Sequence, residues 1–247
     1  PNILIAGCGT GKQIFLTSNY SNAKITAVDL SRSSISYAKR KSIELGENNT
    51  EFLHLDKECD PIINKLIKEN RDKLKSGKID QLPNSLHSDN LWRHKPFNGF
   101  VQYVMQQMWN ILAWQGYELK GKKPLLQECW VQEFPEEGGF HEIHTHSNNH
   151  MSGFYFLKCN NKTSKPSFHD PRPGKTMTDL RIRESNKVEI GTNQVHYSVK
   201  PGDFIFFNSF MPHSYSHHKG KEKFRFIHFN MAAVTDPSLT TNSEEAK

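Results

Sequence analysis

The residues with the clearest chemical capacity lie in the run HEIHTHSNNHMSGFYFL, from His141 to Leu157. His144 and His146 are two positions apart, and side chains two apart on a β-strand project from the same face. Two neutral imidazoles on one face provide part of a site for iron, zinc or copper. A third ligand must come from elsewhere in the chain, and the candidate is His213 in GDFIFFNSFMPHS.

The elements that must position these histidines are short strands. From residue 125 onward, apolar runs alternate with turn signals such as PEEGG, PRPGK and KPGD, a pattern that predicts strands. The predicted strands are Leu125–Phe134, Phe140–His146, Gly153–Lys158, Ser167–Asp170, His196–Val199, Asp203–Phe207, His213–Ser216 and Phe224–Met231. This succession predicts a mainly β fold, a jelly roll or double-stranded β-helix with flanking helices.

Residues 1–57 predict a different kind of structure. Strands at Ile3–Ala6, KITAVDL and TEFLHLD alternate with helices that begin at Lys12 and span Arg32–Leu45. This order begins a doubly wound parallel sheet. Because no further strands of that type follow, we expect only a partial α/β Rossmann-like unit. Its exposed sheet edge would favour a homo-oligomer.

The remaining segments connect and close these two parts. Residues 58–96 predict a helical linker, in which Asp60–Pro61 begins a helix and Gly77 ends it. Residues 97–235 form the predicted jelly-roll domain, which opens with an apolar helix. Residues 236–247 are polar, and we expect a disordered tail there.

Composition narrows the classes of function. The chain has 247 residues, 35% hydrophobic and 23% charged, with no apolar run long enough to cross a membrane. Its net charge of +6 comes from dispersed Lys and Arg residues, so nucleic acid binding is not expected. Four scattered cysteines without a CxxC pair indicate reduced thiols and a cytoplasmic location.

The motifs HTH, SGFYFL, FHDPRP, KPGDFIFF, MPHS and FRFIHFN occur in one order along the chain. This order resembles the 2-oxoglutarate- and Fe(II)-dependent oxygenases, in the subgroup with an HxH…SGxYY…DPR pattern, and covers Leu91–Val234. The resemblance implies Fe(II), 2-oxoglutarate as cosubstrate, and O₂. It implies His144, His146 and His213 as metal ligands, and Arg225 as the cation for the cosubstrate's far carboxylate.

The pair His144 and His146 departs from the wider superfamily, in which a histidine is followed two residues later by a carboxylate. Either this subgroup uses three histidines, or a carboxylate from elsewhere completes the set. Asp170 in HDPR is the best such carboxylate. Arg172 could pair with Asp170 or face an anionic substrate.

A second departure concerns Phe156, where many relatives have a tyrosine that helps to bind 2-oxoglutarate. Another hydroxyl, from Ser152 or Tyr155, could supply that contact. The other histidines near the motif are expected at the surface or beside the ligands; they are His141, His150, His217 and His218.

The N-terminal GCGTG resembles the cofactor loop of class I S-adenosylmethionine-dependent methyltransferases. The resemblance implies that Gly7, Gly9 and Gly11 surround the amino acid part of S-adenosylmethionine, and that Asp29 binds its ribose. Asp56 corresponds more loosely to an acidic residue near the adenine. Only this truncated segment carries the resemblance.

These observations predict an Fe(II)- and 2-oxoglutarate-dependent dioxygenase that hydroxylates a small-molecule or peptide substrate. One alternative is a jelly-roll module that binds a metal or a small anion without catalysis. The other is a remnant that binds S-adenosylmethionine or transfers its methyl group. Homo-oligomer formation is left open.

Overall fold

A computed structural model describes most of the chain, in the ranges 2–6, 24–29, 32–46, 50–136, 138–172, 177, 180–184 and 186–240. The chain divides into two compact units, Pro1–Leu66 with Asn90–Gln107, and Ile67–Asp89 with Met108–Lys247. The predicted boundaries at 57 and 96 stay predictions.

The first unit contains a parallel sheet. Strands β1 (Asn2–Ala6), β2 (Lys24–Asp29) and β3 (Thr50–His54) pair in that order, and helix α1 (Arg32–Glu44) lies between β2 and β3 in the chain. After α1, Gly46 has a φ of 74°, the left-handed conformation that commonly ends a helix. The helix predicted from residue 12 lies outside the described residues. A Rossmann-like unit stays a prediction.

Helix α2 spans Leu55–Lys75 and begins earlier than predicted. The prediction that Asp60–Pro61 starts this helix is wrong, since the chain passes from β3 directly into α2 and Pro61 lies inside it. The predicted strand end at Asp56 is also wrong, because this residue belongs to the helix. The predicted end is confirmed: Gly77 has a φ of 68°, and its N–H donates to the Leu74 carbonyl.

The second unit is built mainly from strands. Within its described residues these are β4 (Leu86–His87), β5 (Lys122–Phe134), β6 (His141–His144), β7 (Met151–Lys158), β8 (Pro166–His169), β9 (Gln194–His196), β10 (Phe204–Asn208), β11 (His213–Tyr215) and β12 (Phe224–Thr235). They form two antiparallel sheets, five-stranded in the order β10-β7-β12-β5-β4 and four-stranded in the order β6-β11-β8-β9. The two sheets fit the predicted jelly roll. Strand β4 was not predicted.

Aromatic side chains fill the space between these sheets. Phe154 on β7 and Phe226 on β12 both contact Tyr215 on β11, with ring centroids 5.2 and 4.5 Å from the Tyr215 ring. The buried cluster comprises Phe134, Phe154, Phe156, Phe207, Tyr215, Phe224 and Phe226. Even-numbered positions of β12 from Phe224 to Asn230 therefore face this interior, and the odd-numbered positions between them face the other side of the sheet.

The remaining described elements are helical. The 3₁₀ turns Leu91–Arg93 and Lys95–Phe97 precede helix α3 (Asn98–Trp114), close to the predicted apolar helix. A short helix α4 (Pro237–Thr240) follows β12. None of the helices in the described ranges combines the length and apolar character needed to cross a membrane.

Candidate metal centre

The structure brings together the three histidines that the sequence singled out. His213, at the start of β11, lies opposite His144, the last residue of β6, with ring centroids 4.3 Å apart. The ring of His146 lies 5.0 Å from each of these two rings. One nitrogen of each ring lies within 4.8 Å of the others. This is the spacing of a ligand set that could hold one metal ion.

His146 reaches this position by a route that differs from the prediction. Strand β6 ends at His144, so alternation along a strand does not place the second histidine. Instead, the N–H of His146 donates to the Ser209 carbonyl at 3.0 Å. The backbone of the connection after β6 is therefore held by the segment between β10 and β11.

Backbone carbonyls determine which nitrogen is available on two of the rings. Nδ1 of His144 lies 2.8 Å from the Glu142 carbonyl, and Nδ1 of His213 lies 2.9 Å from the Met211 carbonyl. A carbonyl oxygen only accepts hydrogen bonds, so each Nδ1 must carry the proton. Nε2 of each ring then keeps its lone pair and is the atom that can bind a metal.

The third ring is held from both sides. Nε2 of His146 lies 3.2 Å from Nε2 of His213, and Nδ1 lies 3.1 Å from Nδ2 of Asn230. The same Asn230 amide donates to the Glu128 carboxylate. The Asn230 Oδ1 atom is buried and has no hydrogen-bond partner among the described residues.

Burial keeps the imidazoles of His146 and His213 neutral. Together with the neighbouring imidazoles, it lowers the pKa of His146 to about 3 and that of His213 to about 4, from an ordinary value of 6.5. The hydrogen bond from His213 to the Met211 carbonyl acts in the opposite direction. Neutral imidazole is the form that binds metals, so neither ring has to lose a charge at pH 7.

A second set of possible ligands lies beside the first, and sequence reasoning missed it. Glu128, His146 and His228 each offer one ligand atom, all within 4.8 Å of one another. His228 and Asn230 lie on the inward face of β12, and Glu128 lies opposite Asn230 on β5. Alternation along FRFIHFN was the available signal, because it assigns His228 to the same face as the buried Phe226.

Arg225 lies on the other face of β12. Its side chain is 2% exposed, and its Nε donates at 2.9 Å to a carboxylate oxygen of Glu133, a residue that is fully buried. Arg71 and Lys223 also contact Glu133, at 2.8 and 3.5 Å. Burial alone would raise the pKa of Glu133, but these three cations lower it.

This placement argues against Arg225 as the cation for the cosubstrate's carboxylate. The side-chain period of a strand is two, so a residue one position from the inward-facing Phe226 projects away from the histidines. Phe224 and Phe226, the inward neighbours of Arg225, are both apolar and packed in the aromatic cluster.

Asp170, the alternative third ligand, is engaged elsewhere. Its carboxylate accepts hydrogen bonds from the backbone N–H and the guanidinium of Arg172, with the N–H at 2.9 Å. It also lines a cavity of about 310 Å³, together with Phe168, Phe207 and Met211. Of the two roles left open for Arg172, the structure shows the pairing with Asp170.

The flanking histidines have partners of their own. His141 Nε2 lies 2.8 Å from the Ser85 hydroxyl. His218 is buried rather than exposed: its Nδ1 accepts from the Ser164 N–H and its Nε2 donates to the Glu222 carbonyl, so it stabilises a loop. The two exposed members of this group are His150 and His217.

The motif SGFYFL places its residues on alternate faces. Ser152 faces inward, with its hydroxyl 2.8 Å from that of Ser209, whereas Tyr155 packs its ring on Phe204 at 4.6 Å, on the opposite face. Of the two hydroxyls considered for the cosubstrate, only that of Ser152 shares the face of the histidines.

The predicted S-adenosylmethionine loop, Gly7, Gly9 and Gly11, lies outside the described residues. Asp29 ends β2 and Asp56 lies in α2, and the positions of their side chains are not described. Binding of S-adenosylmethionine therefore stays a prediction.

Several solved structures are similar to this chain at low identity. An oxidoreductase of the 2OG-Fe(II) oxygenase family from Burkholderia pseudomallei is 8% identical, with a TM-score of 0.38 over 54% of this chain and 55% of that one. A prolyl hydroxylase from Trichoplax adhaerens, solved with a hypoxia inducible factor peptide, is 11% identical. Its TM-score is 0.42, over 72% of this chain and 81% of that one. A prolyl-4-hydroxylase from Pseudomonas putida is 13% identical, with a TM-score of 0.39 over 70% of this chain and 86% of that one.

The chain thus aligns with just over half of the length of the Burkholderia protein. No curated protein matches the sequence. Residues 128–230, which include all three clustered histidines as well as Glu128, His228 and Asn230, match the family model described as "Putative 2OG-Fe(II) oxygenase".

Proposed function

We propose that this protein is an Fe(II)-dependent oxygenase whose iron ligands are His144, His146 and His213. The observation that carries the proposal is the pair of carbonyl contacts that fix Nδ1–H on His144 and on His213. These contacts leave both Nε2 lone pairs available to one ion beside His146. The match of residues 128–230 to the oxygenase family model supports the same function.

Three nitrogen ligands on one side of an iron ion leave positions open for other ligands. Bound Fe(II) would supply O₂ activation and oxidation of a substrate C–H bond. The chain's own contribution is to orient the three imidazoles and to keep those of His146 and His213 neutral. The rings of Phe207 and Phe154, with centroids 4.7 and 5.6 Å from that of His213, keep water from this side of the set.

We propose 2-oxoglutarate as cosubstrate on the strength of the family match. The expected cation, Arg225, does not fit this role, because its guanidinium is paired with Glu133 on the opposite face of the sheet. The inward hydroxyl of Ser152 is a better candidate contact than that of Tyr155.

The substrate is proposed to be a small molecule or a peptide. The cavity of about 310 Å³ is the candidate place for it, since it reaches Phe207, whose ring contacts His213. Its lining is mainly apolar, which favours an apolar group in the substrate. A cytoplasmic location and a homo-oligomer remain predictions.

A second candidate function is a jelly-roll module that binds a metal without catalysis. The outward direction of Arg225 favours it, since an oxygenase of this type needs a cation for the far carboxylate of its cosubstrate. The three-histidine set serves either function, so ligand geometry alone does not discriminate between them.

Succinate formation discriminates between the oxygenase and the binding module. Iron-loaded protein should convert 2-oxoglutarate to succinate slowly without added substrate, and only when O₂ is present. The His213→Ala variant should lose this activity, whereas His217→Ala, a change at an exposed histidine, should keep it. Stoichiometric iron binding without any succinate would favour the binding module and contradict the oxygenase.

A further inference from the structure

Two buried polar atoms near the histidines lack partners among the described residues: Nε2 of His228 and Oδ1 of Asn230. His228 is 4% exposed and Asn230 is fully buried. A buried polar atom without a hydrogen bond costs about 1–3 kcal/mol, so two of them side by side indicate a group that normally contacts them.

Glu128 faces the same place. Its Oε2 lies 3.9 Å from Nε2 of His228, too far for a hydrogen bond but close enough for both atoms to bind one ion. The Glu128 side chain is 36% exposed, so this place can be reached from solvent. A carboxylate and an imidazole nitrogen that face each other without a hydrogen bond are suitable ligands for a divalent cation.

We propose that Glu128, His146 and His228 bind a divalent transition-metal ion of their own, next to the three-histidine set. One ligand atom from each of the three lies within 4.8 Å of the others. Two imidazoles and one carboxylate favour iron, zinc, cobalt or manganese over calcium or magnesium, which prefer oxygen ligands.

His146 is the residue that the two sets share. Its Nε2 faces His213 at 3.2 Å, and its Nδ1 faces the Asn230 amide, which binds Glu128. The ring thus contacts His213 of the first set directly and Glu128 of the second set through the Asn230 amide. A neutral imidazole carries one proton, so if ions occupied both sets and each bound one nitrogen of His146, that proton would be released to solvent.

The neighbours of His228 hold its ring in place. The ring centroids of Trp130 and Phe154 lie 5.2 and 5.5 Å from that of His228, and His146 lies 4.6 Å away. Aromatic packing on these sides fixes the ring plane. Phenylalanine at position 228 would keep that packing and remove the nitrogen.

Metal stoichiometry tests the proposal without reference to activity. Chelator-stripped protein is dialysed against Co²⁺, and bound cobalt per chain is measured by mass spectrometry. The variants are Glu128→Gln and His228→Phe in the second set, and His144→Ala, which removes a ligand of the three-histidine set alone. Thermal melting of each metal-free variant shows whether it is folded, and Glu128→Gln is the milder change.

We expect two ions in the wild type and one in each variant. The second set is supported if Glu128→Gln and His228→Phe lose an ion that His144→Ala keeps, even if the three-histidine set binds nothing. The proposal is overturned if Glu128→Gln and His228→Phe both bind as many ions as the wild type. A single ion lost in all three variants would overturn it as well, because one mixed set would then hold that ion.

Discussion

The Nε2 atoms of His146 and His213 lie 3.2 Å apart, although the two residues are separated by 67 positions in the chain. Antiparallel pairing of β6 with β11 positions His213, and the hydrogen bond from the His146 N–H to the Ser209 carbonyl positions His146. The site therefore depends on the four-stranded sheet, on the connection after β6 and on the segment between β10 and β11.

Metal binding should stabilise the protein. An ion at about 100 times its Kd should raise the free energy of unfolding by about 2.7 kcal/mol for the three-histidine set, because the unfolded chain lacks that set. Urea denaturation with Co²⁺ and with a chelator measures the difference. His213→Ala should lose this gain, and His217→Ala should retain it. Equal stability of the wild type with and without metal would contradict the site.

Arg225 should matter for stability. Among the described residues, Arg225→Gln leaves the buried Glu133 carboxylate with Arg71 and Lys223 as its cationic partners, and we expect a loss of about 3 kcal/mol in the free energy of unfolding. Lys223→Gln removes a more exposed partner at 3.5 Å and should cost less than about 1 kcal/mol. Unchanged stability of Arg225→Gln, with a raised KM for 2-oxoglutarate, would restore the cosubstrate role.

Acid should destabilise the metal-free protein through the buried histidines. The pKa values of His213 and His146 in the folded state, about 4 and about 3, lie below the ordinary value of 6.5. As the pH falls below about 6.5, the unfolded chain therefore binds more protons than the folded protein. The free energy of unfolding decreases until the pH reaches the folded-state pKa values. Above about pH 6.5 these residues add no pH dependence.

Urea denaturation in the presence of a chelator, at about pH 7 and about pH 5, measures this effect. His213→Phe should reduce the difference between the two conditions, because one of the depressed groups is gone. A wild-type free energy of unfolding that does not change between these conditions would contradict the burial of neutral imidazoles.

Gly153 should not tolerate a side chain. A Cβ there would lie 2.8 Å from the Ile205 carbonyl and closer still to the ring of Phe229, so β7 or its neighbours would have to move. We expect Gly153→Ala to cost about 1–3 kcal/mol. Gly191→Ala, whose added Cβ meets nothing within 4 Å, is the matched control and should be neutral. Equal melting temperatures for both variants would contradict this packing.

The strands of the jelly roll could be predicted because turn residues separate short apolar runs. Seven of the eight predicted strands from residue 125 onward are present with ends displaced by a few residues, whereas the strand predicted at His196–Val199 shares only His196 with the observed β9. Strand β4 has only two residues, Leu86–His87, and too short a run gives no periodic signal. The start of α2 was missed because Pro61 is typical of a first helical turn, whereas this helix already begins at Leu55.

The site was predicted in part, and the reasons are geometric. The close approach of His144 and His213 was predicted from residue type and order. The direction of Arg225 could have been derived from alternation along β12, since His228 and Asn230 share a face that Arg225 does not. The position of His146 depends on a contact to Ser209 from a distant segment, which no local pattern encodes.

X-ray absorption of bound iron shows whether His144, His146 and His213 are its ligands. Anaerobic protein with Fe²⁺ is measured in the Glu128→Gln background, so that only the three-histidine set is filled. We expect three imidazole nitrogens at about 2.0–2.2 Å from iron, and loss of one when His144 is also replaced by alanine. Iron with fewer imidazole ligands, unchanged by the loss of His144, would contradict this ligand set.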